Sequence, residues 1–324
     1  MIKNWRPISL VNVDVKIGSK AIAKRLEKVL PYVIRHNQNA FVKGQTIFYA
    51  VRTINDVLDF TELKGYQGIL TAIDFEKAFD LSSRDFLFKS LESFGFGASF
   101  IVWIKTFYKN ITSCVVKNGY FTFPFNVTRG VRRGDPLSPC LFILVLELLA
   151  ISIRNNDRIR GIIVDRNEIK LVTFADDVTS FVCDKPSYRT LLNVIKLFGA
   201  YSGLKINHDR TEVLLLGNME ASSSELEVTE IKKSLRILGV HFTYNRSLFY
   251  KLNFESTEKS IRKFLRGWGW RGLTLLGKVQ IIKSFALPKI LYRLTLMSNR
   301  KEFIKKINTL LRSFVWKEKV EARL

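Results

Sequence analysis

Two apolar, β-type runs, Ile169-Lys170-Leu171-Val172-Thr173 and Val178-Thr179-Ser180-Phe181-Val182, are separated only by Phe174-Ala175-Asp176-Asp177. That spacing leaves the chain little besides a tight hairpin. The two aspartates are thereby predicted at its tip. Hairpin tips ordinarily favour Asn-Gly or Asp-Gly, because the turn needs positive φ. Two carboxylates side by side repel each other, which folding alone does not require, and a divalent cation relieves that repulsion. Taken alone, the pair also reads as a solvated acidic turn.

A second acidic strand end changes the balance. Gly68-Ile69-Leu70-Thr71-Ala72-Ile73 is an apolar strand candidate that ends at Asp74 and runs on into Phe75-Glu76-Lys77-Ala78-Phe79-Asp80. Carboxylates from two strands can then meet on one sheet. Magnesium takes oxygen ligands, keeps several of its waters, and is commonly held by one or two protein carboxylates together with substrate phosphates. In two-metal phosphoryl transfer one ion activates the attacking oxygen and the other steadies the leaving oxygen. Asp74 and Asp176 are the first candidates for ligands, with Asp177 supporting the site as a ligand or by its field.

Charge indicates the partner. With 52 Lys and Arg against 29 Asp and Glu, the chain carries a formal +23 over 324 residues, far more than solubility needs and of the sign that attracts a phosphate backbone. A membrane surface is a poorer match, since no basic amphipathic helix lies beside an anchor. The longest apolar stretch, from Cys140 to Ile153, is too short to span a bilayer and carries Glu147, so it reads as a buried helix. The N-terminus lacks the charged-then-apolar pattern of a secretion signal. Cys114, Cys140 and Cys183 stand far apart without CxxC or CxxH pairing, which argues against a disulfide framework and against a zinc knuckle. His36, His208 and His241 are equally scattered, so a histidine-based metal or nucleophile site is not indicated.

At 47% hydrophobic residues the chain can bury a sizeable core and more than one lobe. Helices are predicted over 19–30, ended by Pro31, and over 47–63. Ser83 is placed to cap a helix running to Phe94, with Gly95 as its stop. The 127–139 segment reads as a loop, with Ser138 at the cap and Pro139 at the first position of the buried helix. After the acidic hairpin come a helix over 186–201, a strand over 212–216 and another over 236–242. From Glu255 onward a basic helical pattern takes over, with Trp268, Trp270 and Trp316 among many Lys and Arg. This is an α+β chain with a mixed or antiparallel sheet backed by helices.

The order of motifs resembles the reverse transcriptase domain of non-LTR (LINE-type) retrotransposons. Asn4-Trp5-Arg6-Pro7-Ile8-Ser9-Leu10 is similar to the family's first fingers motif and Gln38-Asn39-Ala40-Phe41-Val42-Lys43-Gly44-Gln45 to its second. Asp74–Asp80 resembles motif A, Gly130–Pro139 motif B, and Phe174–Asp177 motif C. Gly203-Leu204-Lys205-Ile206-Asn207 with Thr211-Glu212 resembles motif D, and Leu238-Gly239-Val240 the primer grip. The segment from Trp270 through Tyr292 is similar to what these elements carry after the palm. Each motif is weak by itself; their shared order makes chance a poor explanation.

The resemblance implies a right-hand polymerase with fingers over 1–66, a palm over 67–245 that includes an inserted fingers segment at about 95–126, and a thumb with further helices over 246–324. It implies attack of a DNA primer 3′-hydroxyl on the α-phosphate of a dNTP paired to an RNA template, with two Mg2+ ions, or Mn2+ in their place, held by Asp74, Asp176 and Asp177. Phe79 then matches the steric gate against a ribose 2′-hydroxyl, and its plain alternative is a core phenylalanine beneath the sheet. Arg6 matches the arginine that contacts the triphosphate, Gly134 and Pro136 shape the loop against the nascent base pair, and Leu238 and Gly239 form the grip. Trp268 and Trp270 either stack on bases or, more in keeping with tryptophan, pack the thumb.

Two departures qualify the match. Arg133 stands where motif B commonly has glutamine, and Arg210 where motif D often has lysine near the leaving pyrophosphate. Arginine neutralises charge but is a poor proton donor, so slower turnover is expected. Met1 lies almost on the first motif and no Cys/His knuckle follows, so the chain looks like a fragment or truncated copy, with endonuclease activity to come from a missing region or another protein. An impaired remnant that binds nucleic acid without polymerising is the alternative, and an intron-encoded maturase lacks its splicing domain here. An intracellular location is expected, nuclear by family resemblance only.

Overall fold

The computed structural model describes residues 8–296 and 301–316 and divides the chain into two compact units, Met1–Ala50 with Phe60–Lys232, and Val51–Asp59 with Lys233–Leu324. In chain order the first elements are α1 (Val13–Val33), α2 (Ile47–Lys64), β1 (Gly68–Ile73), the single turn α3 (Ala78–Leu81), α4 (Arg84–Ser93) and α5 (Ala98–Phe107). Four two-residue strands follow, β2 (Thr112–Ser113), β3 (Val116–Lys117), β4 (Tyr120–Phe121) and β5 (Phe125–Asn126), then α6 (Ser138–Arg154). The chain continues through β6 (Ile162–Val164), β7 (Asn167–Ile169), β8 (Leu171–Phe174), β9 (Asp177–Val182), α7 (Lys185–Ser202) and β10 (Glu212–Leu216).

The centre of the first unit is an antiparallel sheet in the order β10-β1-β9-β8. Its pleat sorts side chains between two faces. Ile69, Ile73, Leu171, Val178, Val182 and Val213 share one face and belong to a buried cluster with α1, α4, α6 and α7. Helix α6 is apolar on nearly every side because it is enclosed, and Phe142, Ile143 and Leu144 have no exposed surface. Its one acid, Glu147, is 2% exposed and accepts from Arg154 Nη2 at 2.5 Å. Burial pushes that carboxyl above the usual range, and Arg154 pulls it partly back. Among the described residues no helix is long and apolar enough to cross a membrane, and the three cysteines are free thiols.

The second unit contains β11 (Leu235–Ile237), β12 (Val240–Phe242), α8 (Arg246–Tyr250) continuing through a π turn at Lys251–Glu255 into α9 (Ser256–Gly269), α10 (Leu275–Ile281) continuing through a second π turn into α11 (Leu287–Leu294), and α12 (Lys301–Trp316). Phe254 is its hub: it stacks on Tyr250 at 5.4 Å and meets Phe303 of α12 edge-on at 5.0 Å. Fully buried Asn253 ties helix to hairpin, donating to His241 O at 2.8 Å and accepting from His241 N at 2.9 Å. Trp270 is 92% exposed, so the packing role expected for it fails, and Trp316 is exposed as well. Trp268 is half-buried, with the Arg271 guanidinium 4.3 Å from its ring centre.

Several sequence expectations need correction. Pro31 lies inside α1 instead of ending it, and Ile34 N still donates to Leu30 O at 2.8 Å: a proline this close to the C-terminus removes one helical bond and leaves the last one intact. The 169–173 run is split, because Lys170 turns inward and its ammonium donates to Arg154 O at 3.0 Å and Asn156 O at 3.1 Å. The 236–242 strand is instead a hairpin, with Leu238 (φ 50°) and Gly239 (φ 78°) as its turn. Ser138 is the first residue of α6, and Asp135 Oδ1 accepts from Leu137 N at 3.0 Å in place of a serine cap. Helix α5 and the hairpin β6–β7 carried no recognised signal. Ser83 does cap α4, accepting from Phe86 N at 3.3 Å.

Two stability outcomes follow. A Cβ on Gly130, whose φ is 78°, would stand 2.6 Å from Asp80 O, so Gly130→Ala is expected to cost about 1–3 kcal/mol in urea unfolding. The His241 imidazole is held below its ordinary value by burial, then by Arg236 and Arg293. The unfolded chain therefore takes up the proton first, and stability falls as pH drops below about 6.5. His241→Gln should flatten that slope in melts of the chain recorded across mildly acid pH; equal slopes would refute the assignment.

Candidate functional site

The last paired residues of β1 and β9 are Ile73 and Val178, and both point into the core. The next residues, Asp74 and Asp177, therefore turn to the opposite face of the sheet, one step past the ladder. Phe174 pairs with Asp177 across the hairpin, leaving Ala175 and Asp176 as a two-residue turn with Ala175 at φ 54°. The tip is thus Ala175-Asp176, and Asp177 already belongs to the strand. Asp74 and Asp176 are half-buried and Asp177 is exposed. The strand ends and the turn bring these three acids to one end of the sheet.

A short segment after α7 holds Asp74. Phe75 bridges Ile206 in antiparallel fashion, and Asn207 N donates to Asp74 O at 2.8 Å. Asn207 Nδ2 donates to Asp74 Oδ2 at 2.9 Å, and Asp74 N donates to Thr211 Oγ1 at 3.4 Å. Sequence reasoning gave Asn207 no role of its own. Its only signal was position, a polar residue closing the Leu204-Lys205-Ile206 alternation. One carboxylate oxygen of Asp74 is thus oriented by an amide.

The donor set is carboxylate oxygen, which suits a hard cation such as magnesium. Among the described residues no group of three or more His, Cys, Asp or Glu side chains gathers closely enough to cage a metal. The three-carboxylate set expected from the sequence, Asp74, Asp176 and Asp177, is therefore not gathered into a cage here, and what matches magnesium is the chemistry of the donors, one or two carboxylates to be completed by water and substrate phosphate. The residues therefore fit the ion.

The loop before α6 lies along the turn after Asp74. Val131 N donates to Phe79 O at 2.7 Å and Gly130 N to Ser82 O at 2.8 Å. One face of the Phe79 ring stacks on Phe142 at 4.3 Å, and the Arg133 guanidinium stands 5.3 Å from its centre. Arg133 also pairs with Asp80 at 3.5 Å and its carbonyl accepts from Ser9 N at 2.9 Å. Gly134 is exposed, and a Cβ there would stand 2.9 Å from Ser9 O. Arg210 is exposed, in the turn where its N–H donates to Asn207 O at 3.1 Å.

Leu238 and Gly239 belong to the second unit, where α11 clamps their turn: Tyr292 OH donates to Leu238 O at 2.5 Å and Arg293 Nη2 to Gly239 O at 2.9 Å. Arg293 is a second residue that sequence reasoning passed over, one basic side chain among many. Arg6, with the rest of Asn4–Pro7, lies outside the described residues.

The sequence profile of the family described as reverse transcriptase (RNA-dependent DNA polymerase) matches residues 2–242. A transposon TX1 protein of 149 kDa from Xenopus laevis is 32% identical over 98% of this chain, which spans 24% of that protein. A Pol polyprotein from the type-1 retrotransposable element R2 of Popillia japonica is 24% identical over 90% of the chain, which spans 42% of it. The chain thus spans less than half the length of these relatives. Telomerase from Candida albicans, solved with a fragment of telomeric RNA, superposes with a TM-score of 0.56 at 11% identity, covering 95% of this chain and 55% of that one. That likeness bears on the fold alone, and it agrees with the expected right-hand polymerase class. On the profile and the relatives together, the chain belongs to the reverse transcriptase (RNA-dependent DNA polymerase) family, as a domain of the non-LTR retrotransposon kind.

Proposed function

We propose that this domain is an RNA-directed DNA polymerase that extends a DNA primer on an RNA template, with Asp74 and Asp176 as metal ligands and Asp177 beside them. One observation carries the reading: the β1–β9 register sets acids from distant parts of the chain at one end of the sheet, with Asp74 and Asp177 on the face opposite Ile73 and Val178. Two magnesium ions, when bound, supply the charge neutralisation that primer hydroxyl and leaving pyrophosphate need. The chain's own residues do the positioning. Asn207 orients Asp74 by two hydrogen bonds, one to the carboxylate and one to the main chain.

In this reading Phe79 is the steric gate, and its stack on Phe142 gives the ring the rigidity a gate needs. Arg133 is proposed to act on the incoming nucleotide through that ring and through Asp80, in place of the glutamine contact common in the family. Arg6 and Arg210 are proposed to meet the triphosphate, Gly134 to lie against the nascent pair, and Leu238 with Gly239 to hold the primer end. Fingers over 1–66, palm over 67–245 and thumb over 246–324 are proposed on the same ground. A formal charge of +23 suits a template–primer duplex.

Asp176→Ala is expected to lower extension of primed poly(rA) with dNTPs and Mg2+ by about 10²-fold or more while leaving duplex binding nearly unchanged. A wild-type chain that binds the duplex but extends no better than this variant would leave only the remnant reading. Phe79→Val should lower the dNTP-over-rNTP ratio of kcat/KM by about 10-fold or more, read from single-nucleotide incorporation. An unchanged ratio would return Phe79 to a core role.

A further inference from the structure

The turn that carries Asp176 is not self-supporting. Ala175 sits at φ 54°, a conformation that L residues other than Asn and Asp seldom adopt, and its N–H lies at the hairpin tip beyond the strand ladder. Ala175 is 9% exposed, so water does not readily serve that donor. Its partner comes from the far end of the unit's sequence: Ala175 N donates to Gln38 Oε1 at 3.1 Å, and Ala40 N donates to the same oxygen at 3.0 Å. Gln38 itself is 2% exposed.

The backbone around Gln38 is fixed to the same hairpin. β8 is the edge of the sheet, and residues 37–39 cover it: Thr173 N donates to Asn37 O at 2.7 Å and Asn39 N to Thr173 O at 2.9 Å. Asn37 is held in turn by Arg154, whose Nη1 donates to Asn37 Oδ1 at 2.8 Å. Arg154 is anchored by Glu147, the one acid of the enclosed helix α6. A chain of polar contacts thus runs from the core through Arg154 and Asn37 to the turn, and Gln38 is its last link before Asp176.

The geometry assigns Gln38 as a positioning residue for the acidic hairpin: its amide oxygen holds Ala175 in the left-handed conformation and so sets the direction from which Asp176 meets a divalent cation. The assignment rests on the polymerase reading of Asp74 and Asp176 for its purpose. Gln38 is enclosed and acts through the main chain of Ala175. Without its oxygen, two buried N–H groups lose their acceptor and the turn is free to relax, which displaces Asp176 relative to Asp74.

The test uses the full chain and Mn2+ as the probe, titrated by electron paramagnetic resonance, with the Mg2+ requirement for primer extension measured in parallel. Gln38→Met keeps the length of the side chain and removes the acceptor; Gln38→Asn keeps the amide one methylene short and serves where the methionine variant does not fold. Either is expected to weaken metal binding about 10-fold or more, as loss of a supporting partner does at metal sites. KM for dNTP should move much less than the Mg2+ requirement. Gln38→Glu, which keeps an acceptor oxygen at the same reach, should bind metal within a few-fold of wild type. Tyr188→Phe removes another buried hydrogen bond, the one from Tyr188 OH to Leu226 O at 2.9 Å, and serves as the structural control. If Gln38→Met and Gln38→Asn lose thermal stability as Tyr188→Phe does but keep the wild-type metal midpoint, the assignment is overturned. A wild-type chain that binds Mn2+ with this dependence on Gln38 yet fails to extend a primer would sink the polymerase reading and leave the positioning role standing.

Discussion

The antiparallel register between β1 and β9 is the constraint on which the rest depends. Because Ile73 and Val178 face each other and both enter the core, the following residue on one strand and the preceding residue on the other must leave it on the opposite face. A slip of one residue would exchange the two faces and carry Asp74 and Asp177 to the side packed by the helices. The hydrophobic effect that drives the sheet onto α6 thus also aims the acids, and the proposed metal site costs the fold no buried carboxylate.

Close backbone contact then builds the surroundings. The turn after Asp74 is bounded on one side by the loop of Gly130 and Val131, and Asn207 holds Asp74 itself. Gly130 is needed because the main chain of Asp80 occupies the space a side chain would take. Phe79 illustrates how one ring joins packing to charge: it stacks on Phe142 and also meets the Arg133 guanidinium.

Charge is distributed by the same economy. Most Lys and Arg side chains lie at the surface, whereas the buried ions act as anchors: Glu147 with Arg154, Asp135 with Arg132, and Lys170 on the carbonyls of Arg154 and Asn156. Buried pairs of this kind add little net stability against apolar replacements but specify one arrangement. Here that arrangement includes Asn37 and, through residues 37–39, the edge of β8.

Local pattern in the amino-acid sequence was enough to determine the α+β class, the enclosed helix around Phe142, the strand ending at Asp74 and the hairpin carrying Asp176, since each rests on periodicity, turn chemistry or a cap within a few residues. The family was legible in the order of motifs and was borne out by the profile match. Tertiary structure alone decided what distant segments do for one another: that Asn207 holds Asp74, that Gln38 holds Ala175, that Arg293 holds Gly239, and that Arg133 lies over Phe79. It also turned the 236–242 run into a hairpin and left Trp270 in solvent. The physical reason is common to all of these. A hydrogen bond or ring contact between residues far apart in the chain has no periodic signature, and an amide or guanidinium acquires its role only from the neighbour that folding supplies.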